Sequence, residues 1–446
     1  MISGQDEIIQ MKKRTETGTK TVENGRYERN GKNAETMKNG RLLIVKRDDK
    51  ILTLLYGDNN RLLRADASDC ETTFLNNIYI GKIKNISLQI NAAFAEFTPG
   101  ILCFLPLKDC KRPILTNRAY DGRLLAGDEI VLQIVSEKQK AKEACASGNL
   151  SFTGKYLVLT SGRRRIGYSP RLSEEQKKEI RAYIQNSSVF TETEQTYGII
   201  FRTNVKELTE YSVLEQELSM LRREAEGVLE KAPHRTCFSL LKQSLASYLK
   251  NLQDYDTSCY EKIVTDDPSI YEEAKAYLER YQPSDLKKLV FYEDPLLPLS
   301  RLYSVEARLS EALDRKVWLK SGGYLVIDKT EALTCIDVNS GKYTGKKRGS
   351  AEETYFHINM EAAQEIGHQL LLRNISGIII IDFINMEAER QNQMLLESLR
   401  RILEKDPLRT TVVDMTPLGL VEVTRKKGKK SLWEQLHTST QTGEHI

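Results

Sequence analysis

Two apolar segments that each end in a carboxylate constrain this chain more than any other feature. Gly322–Tyr343 reads GGYLVIDKTEALTCIDVNSGKY, and Gly377–Met386 reads GIIIIDFINM. In the first, Leu333, Cys335, Asp337 and Asn339 alternate, which puts Asp337 and Asn339 on one face of a strand because side chains repeat every second residue. In the second, four consecutive isoleucines predict a strand buried on both faces, with Asp382 emerging at its end. A carboxylate at the mouth of a buried strand is costly unless it is solvated, paired or metal-bound. Two of them with an Asn suit a hard cation such as Mg²⁺, which takes oxygen ligands and keeps several waters. Taken alone, the same pair also fits two strand-end aspartates that form turns.

A chain of 446 residues predicts about two to four domains, and 40% apolar residues suffice for packed cores. Net charge is +4, from 66 basic and 62 acidic residues, so any case for a nucleic-acid partner rests on local clusters. Arg163-Arg164-Arg165, Lys346-Lys347-Arg348 and Arg425-Lys426-Lys427 with Lys429-Lys430 are such clusters. Singly each reads as a solvated face; together, flanking the carboxylate segments, they read as a phosphate-binding surface. None of the seven cysteines forms a CxxC pair, the usage of reduced thiols with no disulfide frame or zinc ribbon. No apolar run reaches the length of a membrane span, and the first residues lack the apolar core of a secretory signal. The expected location is cytoplasmic, with no membrane partner.

Residues 1–40 are rich in Lys, Glu, Thr, Asn and Gly without apolar periodicity, and are expected to be a disordered polar tail. Leu42–Val45 and Ile51–Tyr56 predict a strand hairpin within residues 41–72. Short strands punctuated by Gly and Pro between Asn77 and Glu137 predict a small barrel over 73–150. In AAFAEF, Phe94 shares a face with Glu96, which makes it an exposed aromatic; Phe104 lies on the next strand. Exposed aromatics on such a sheet are stacking platforms for single-stranded bases. The other reading is that both rings are barrel core. Ser173–Gln185 predicts a helix between the strands KYLVLT and YGIIFRTN, and residues 205–290 are helix-rich, including CFSLLKQSLASYL. Glu352–Leu372 predicts a helix joining the two carboxylate strands. His357 and His368 on it read as surface residues.

TEALTCIDVNSG at Thr330–Gly341, GIIIIDFINM and GLVEVTRKK at Gly419–Lys427 together resemble the ribonuclease E/G family of bacterial endoribonucleases, over roughly Arg41–Lys430. The resemblance implies an α/β multidomain chain. A ribonuclease H-like domain would be split between 41–72 and 226–305. Inserted in it would be an OB-fold of the S-one type over 73–150 and a 5′-end sensor over 151–225. A DNase I-like catalytic domain over 306–430 and a tail over 431–446 would follow. It also implies Asp337 and Asp382 as ligands of one Mg²⁺ and Asn339 beside them as a catalytic residue that orients a carboxylate or the phosphate. Phe94, Phe104 and Lys142 would bind RNA, and Arg171, Arg202 and Thr203 the 5′-phosphate. Pro170 stands where the family has an arginine, and Asn385 where it often has an aspartate. Family members continue into a Cys-Pro-x-Cys segment through which two subunits share zinc. Here SLWEQLHTSTQTGEHI follows, with no cysteine after Cys335. No zinc is expected, and a homo-oligomer only through other contacts.

Three functions fit these residues. The first is a Mg²⁺-dependent endoribonuclease that cuts single-stranded RNA, such as rRNA precursors and mRNA, to 5′-phosphate and 3′-hydroxyl ends. The second is a non-cleaving, ribosome-associated RNA-binding protein; the third is a phosphohydrolase of a small substrate. The carboxylates with Asn339 separate the first from the second. The barrel and the sensor arginine separate it from the third.

Overall fold

The chain opens on an antiparallel meander of β1 (Arg41–Arg47), β2 (Lys50–Tyr56) and β3 (Leu62–Asp69). A computed structural model describes residues 40–57, 60–70, 73–137, 143–162, 164–341 and 351–437. Residues 1–39, Lys142, Arg163 and the Lys346-Lys347-Arg348 run lie outside the described residues.

The next five strands close into a barrel: β4 (Ile78–Ser87), β5 (Ala92–Thr98), β6 (Ile101–Pro106), β7 (Glu129–Ser136) and β8 (Ala144–Ser147). The ring runs β4-β5-β6-β8-β7 and shuts through antiparallel β4–β7 pairing. Inward residues such as Ile83, Ala95, Phe97, Cys103 and Leu132 fill it.

A second small sheet follows, built from β9 (Ser151–Thr153), β10 (Leu157–Thr160), β11 (Ile166–Tyr168) and β12 (Gly198–Phe201), in the order β11-β12-β10-β9. It is packed by α1 (Glu174–Gln185), α2 (Ser188–Glu194) and α3 (Ser212–Lys231). Ser173 and Gln176 form a reciprocal capping box that starts α1 where the sequence predicts it. Helix α3 is continuous through residue 225, so the expected boundary there falls inside a packed helix.

After α3 the sequence predicts more helix, but Phe238 turns the backbone at φ 70° and Leu240–Lys242 forms β13 on the free edge of β4. Pairing that exposed edge outweighs the weak helical pattern of three residues. Then α4 (Ser247–Asp254), β14 (Lys262–Thr265), α5 (Pro268–Tyr281) and β15 (Leu289–Phe291) return to the first sheet. β14 joins β1 in parallel and β15 joins β14, giving the order β15-β14-β1-β2-β3. Helices α4 and α5 cover one face of this sheet. The other face takes α6 (Leu299–Leu302) and α7 (Val305–Leu313), whose Val305, Leu309 and Ala312 pack on Leu43, Leu52 and Leu54. The expected boundary at 305 therefore cuts a helix of the first core; the next sheet starts only at Lys316.

That sheet has the order β16-β17-β18-β19-β21-β20: β16 (Lys316–Trp318), β17 (Tyr324–Lys329), β18 (Leu333–Asn339), β19 (Gly377–Asp382), β20 (Thr410–Met415) and β21 (Leu420–Arg425). Helix α8 (Ala351–Leu372) links β18 to its parallel neighbour β19, and α9 (Glu389–Glu404) links β19 to β20. Both helices lie on one face, where Ile336, Ile379, Ile381 and Val423 meet Ile358, Ala362, Leu395 and Leu399. Among the described residues the opposite face is bare of helices. This corrects the expectation that the isoleucine strand is buried on both sides: Ile379 and Ile381 are fully buried, while Ile378 is 51% exposed and Ile380 half-buried.

The expected tail at 431 is also corrected. Leu432–His437 forms a helix, α10, whose Leu432 is fully buried against the first sheet, and Gln435 Oε1 accepts from the Ala67 amide at 2.8 Å. His368, expected on the surface, is half-buried between the two sheets' domains. Its ring nitrogens contact Glu365 and the Leu62 carbonyl, both at 2.9 Å. No helix among the described residues is long and apolar enough to cross a membrane.

Candidate active site

Strand alternation in β18 turns Thr334, Ile336 and Val338 into the core and leaves Cys335 and Asp337 on the bare face. Asp337 stands in direct register with Asp382 across the parallel β18–β19 pair. Adjacent strands lie about 4.8 Å apart, so the two carboxylates project side by side from one sheet face. Asn339 lies next along that face, and its Nδ2 donates to Asp337 Oδ2 at 2.7 Å. The arrangement brings together the three residues that the sequence pattern nominates.

The backbone behind Asp382 is held from below. Asn359 of α8 is fully buried; its Nδ2 donates to the Ile384 carbonyl at 2.7 Å and its Oδ1 accepts from the Ile384 amide at 3.0 Å. Glu352 accepts from the Ala388 amide at 2.7 Å, and Glu361 from the Lys320 and Ser321 amides at 2.6 and 3.2 Å. One helix thus fixes the strand exit after Asp382 and the loop entering β17. Sequence reading missed Asn359. Its signal is a lone polar residue at a core position of the helical pattern.

Among the described residues neither aspartate has a basic partner: Asp337 meets only Asn339, and Asp382 meets no donor. Two like charges left side by side without a counter-charge suit a hard divalent cation. No third His, Cys, Asp or Glu among the described residues joins them in a metal-binding group. The donor set therefore fits one Mg²⁺ with water completing its shell.

On the barrel, Phe94 and Phe104 are register partners on β5 and β6, with ring centroids 5.9 Å apart in an edge-to-face arrangement. Both are half-buried and lie outside the barrel's core, whereas Ala95 and Phe97 point inward. Glu96 shares their outer face and pairs with Lys84 at 2.6 Å. Lys142 lies outside the described residues.

The three residues nominated for phosphate binding gather at the second small sheet. Thr203 Oγ1 is 2.8 Å from Ser169 Oγ, which accepts from the Arg171 amide at 3.3 Å. The Arg171 guanidinium donates to the Leu408 carbonyl at 2.5 Å, tying this sheet to the segment that enters β20. Arg202 is already engaged: it donates to the Gly154 carbonyl at 2.5 Å and pairs with Asp254 at 2.6 Å. Behind it, the buried Glu217 carboxylate accepts from the amides of Lys155, Tyr156 and Leu157, and burial pushes its pKa up to about 7. A side chain at Gly154 would collide with that carboxylate, since a Cβ there would lie 2.5 Å from it.

Paired carboxylates on the open face of a mixed sheet, with a small aromatic-bearing barrel attached, define a multidomain α/β protein with a candidate metal centre. The model of the "Ribonuclease E/G family" matches residues 151–428. Ribonuclease G of Salmonella typhimurium (strain SL1344) is 32% identical over 367 residues, covering 80% of this chain and 73% of that protein. Ribonuclease G of Haemophilus influenzae matches with the same identity and shares. Ribonuclease E of Escherichia coli (strain K12) is 32% identical over 407 residues, 89% of this chain but only 38% of its own length. The chain belongs to the ribonuclease E/G family.

Proposed function

We propose that the chain is a Mg²⁺-dependent endoribonuclease of single-stranded RNA, acting in rRNA processing and mRNA decay in the cytoplasm. The observation that carries this reading is the register of Asp337 with Asp382 on the bare sheet face, with Asn339 bonded beside them. These two carboxylates would hold one Mg²⁺, which when bound supplies a Lewis acid and a water of lowered pKa. Asn339 fixes the Asp337 carboxylate through its amide, so that ligand geometry is set before substrate arrives. In the hydrolysis, a water oxygen bonds to phosphorus and the bond from phosphorus to the 3′ oxygen breaks. The products are a 5′-phosphate and a 3′-hydroxyl.

The barrel would serve as an S-one type RNA platform through Phe94 and Phe104, and Lys142 is the third residue that the family resemblance nominates for RNA. The second small sheet would be the 5′-end sensor, with Arg171, Arg202 and Thr203 receiving the terminal phosphate; guanidinium forks and hydroxyls suit its oxygens. The split first sheet corresponds in this reading to the ribonuclease H-like domain and the third to the DNase I-like domain. The free thiols among the described residues support a reducing compartment.

The test is incubation with a 5′-monophosphorylated, A/U-rich single-stranded oligonucleotide with and without Mg²⁺. Cleavage is expected only with Mg²⁺, and Asp337→Asn and Asp382→Asn should each abolish it while RNA binding persists. Near-normal cleavage by either variant at moderate Mg²⁺ rejects the metal-site assignment. Binding without cleavage by the unaltered chain favours the non-cleaving RNA-binding reading.

A further inference from the structure

The bare face of the catalytic sheet extends beyond the carboxylates to its β16 edge. Register carries the face across: Asp337 is opposite Val326, and Val326 is opposite Lys316. In the adjoining row, Asn339 is opposite Tyr324, and Tyr324 is opposite Trp318. Directly opposed residues of an antiparallel pair share a face. Lys316, Trp318 and Tyr324 therefore stand on the same side of the sheet as Asp337, Asn339 and Asp382. Val317, between Lys316 and Trp318, packs against the core beneath.

These three side chains form a unit. The Trp318 and Tyr324 ring centroids are 5.3 Å apart. Lys316 Nζ lies 3.9 Å from the Trp318 ring centroid and 3.6 Å from that of Tyr324. Both distances are within cation–π range, and no carboxylate among the described residues pairs with this ammonium. Trp318 nevertheless stays 64% exposed. An indole left in water beside an unpaired cation is a surface in need of a planar, anionic partner. It lies two strands from Asp337, on the order of 10 Å.

We propose that Lys316, Trp318 and Tyr324 form a nucleotide subsite next to the cleavage centre, with a base of the RNA stacked on Trp318 and a backbone phosphate on Lys316. The chemistry is that of single-strand recognition: an aromatic face accepts any base, and an ammonium neutralises the phosphate. The subsite rests on the RNA-cleaving reading for its role in substrate placement, but its occupancy is measurable without cleavage. It is separate from the Phe94–Phe104 platform, which lies on the barrel.

Trp318 and Trp433 are the two tryptophans of the chain, so Trp433→Phe leaves Trp318 as the reporter. This variant is titrated with a 5′-hydroxyl, A/U-rich oligonucleotide in EDTA, with indole fluorescence and RNA anisotropy read together. Saturable quenching that tracks the anisotropy is expected. Trp318→Ala and Lys316→Ala, made in the full chain, should each weaken RNA affinity by roughly tenfold, whereas Trp318→Phe keeps most of it. With Mg²⁺ present, the same loss should appear in KM. RNA binding without quenching, together with unchanged affinity in Trp318→Ala, overturns the subsite. So does a Trp318→Ala variant that changes oligomeric state while its RNA affinity is intact, which would mark a protein contact. If quenching occurs but Mg²⁺ produces no cleavage, the subsite stands and the nuclease reading falls.

Discussion

Asn359 grips Ile384 by both of its peptide groups, donating to the carbonyl at 2.7 Å and accepting from the amide at 3.0 Å. Ile384 lies just past Asp382, where β19 has ended and no neighbouring strand satisfies the backbone. The buried amide side chain does that work and holds the backbone two residues beyond Asp382.

Replacing Asn359 with Leu should therefore leave two backbone groups unsatisfied, each costing about 1–3 kcal/mol. The expected result is a lower Tm together with a higher Mg²⁺ requirement for cleavage, while RNA affinity holds. Mg²⁺ titration of the initial rate checks this. An unchanged Mg²⁺ midpoint in a variant of reduced Tm would leave Asn359 as a stability residue alone.

Phe94 and Phe104 contact each other across the outer face of the barrel, so their contributions should not add. Phe94→Ala and Phe104→Ala are each expected to weaken RNA affinity about tenfold, from a stacking contribution of roughly 1–3 kcal/mol per base. The double variant should lose less than the sum of the two, because each ring props the other. Fluorescence anisotropy of a labelled oligonucleotide measures the affinities. A steep fall in Tm for Phe94→Ala would return the ring to the core.

Arg202 meets Asp254 at 2.6 Å, so in the proposed reading an RNA 5′-phosphate would have to compete with that carboxylate. Arg202→Ala should shrink the rate advantage of 5′-monophosphate over 5′-hydroxyl RNA by about tenfold or more, the loss of a charge-assisted contact. Asp254→Asn should enlarge the same ratio by freeing the guanidinium. Parallel single-turnover rates on the two RNAs decide. A ratio that moves downward in Asp254→Asn would mean that the carboxylate orients Arg202 for the phosphate and does not oppose it.

Acid should loosen the join between the first sheet and α8. Burial opposes ionisation of Glu365, but hydrogen bonds from His368 and Gln369 and the charges of His368 and Arg61 prevail, bringing its pKa to about 2. This lies below the roughly 4.3 of a free glutamate, so the group's contribution is complete above that value and lost as pH falls toward 2. Urea unfolding of the unaltered chain and of Glu365→Gln should differ by an amount on the order of 2 kcal/mol at pH 6. The gap should narrow between about pH 4 and pH 2. A gap that widens on acidification has the wrong sign for this carboxylate.

The parts of the fold that alternation encodes are readable in the chain itself. Thr334, Ile336 and Val338 against Cys335 and Asp337 announce a one-sided strand, and Ser173 with Gln176 announces the start of a helix. Ile378–Ile381 carries no period, so nothing in that run says which isoleucines face water; the placement of α8 and α9 decides it. The short strands at Leu240–Lys242 and Lys316–Trp318 are equally silent, because three residues fit any period and only a waiting sheet edge makes them strands. Trp318 therefore carries no local signal, whereas Asp337, Asn339 and Asp382 sit in patterned segments. A motif nominates Arg202 and Thr203, but the pairing of Arg202 with Asp254 joins positions far apart in the chain, which no local pattern reports.

Helix α10 has a bearing on how the chain is born. β1 waits for β14 before it gains its parallel neighbour, and the α7 face of the same sheet is finished only when Leu432 and Leu436 arrive. By contrast, the strand pairing of the barrel is complete at Lys242. On a ribosome, the barrel can therefore close while the sheet that precedes it is still half-built. The strands made first are among the last to be sealed, and their uncovered leucines are the surface that a chaperone would meet.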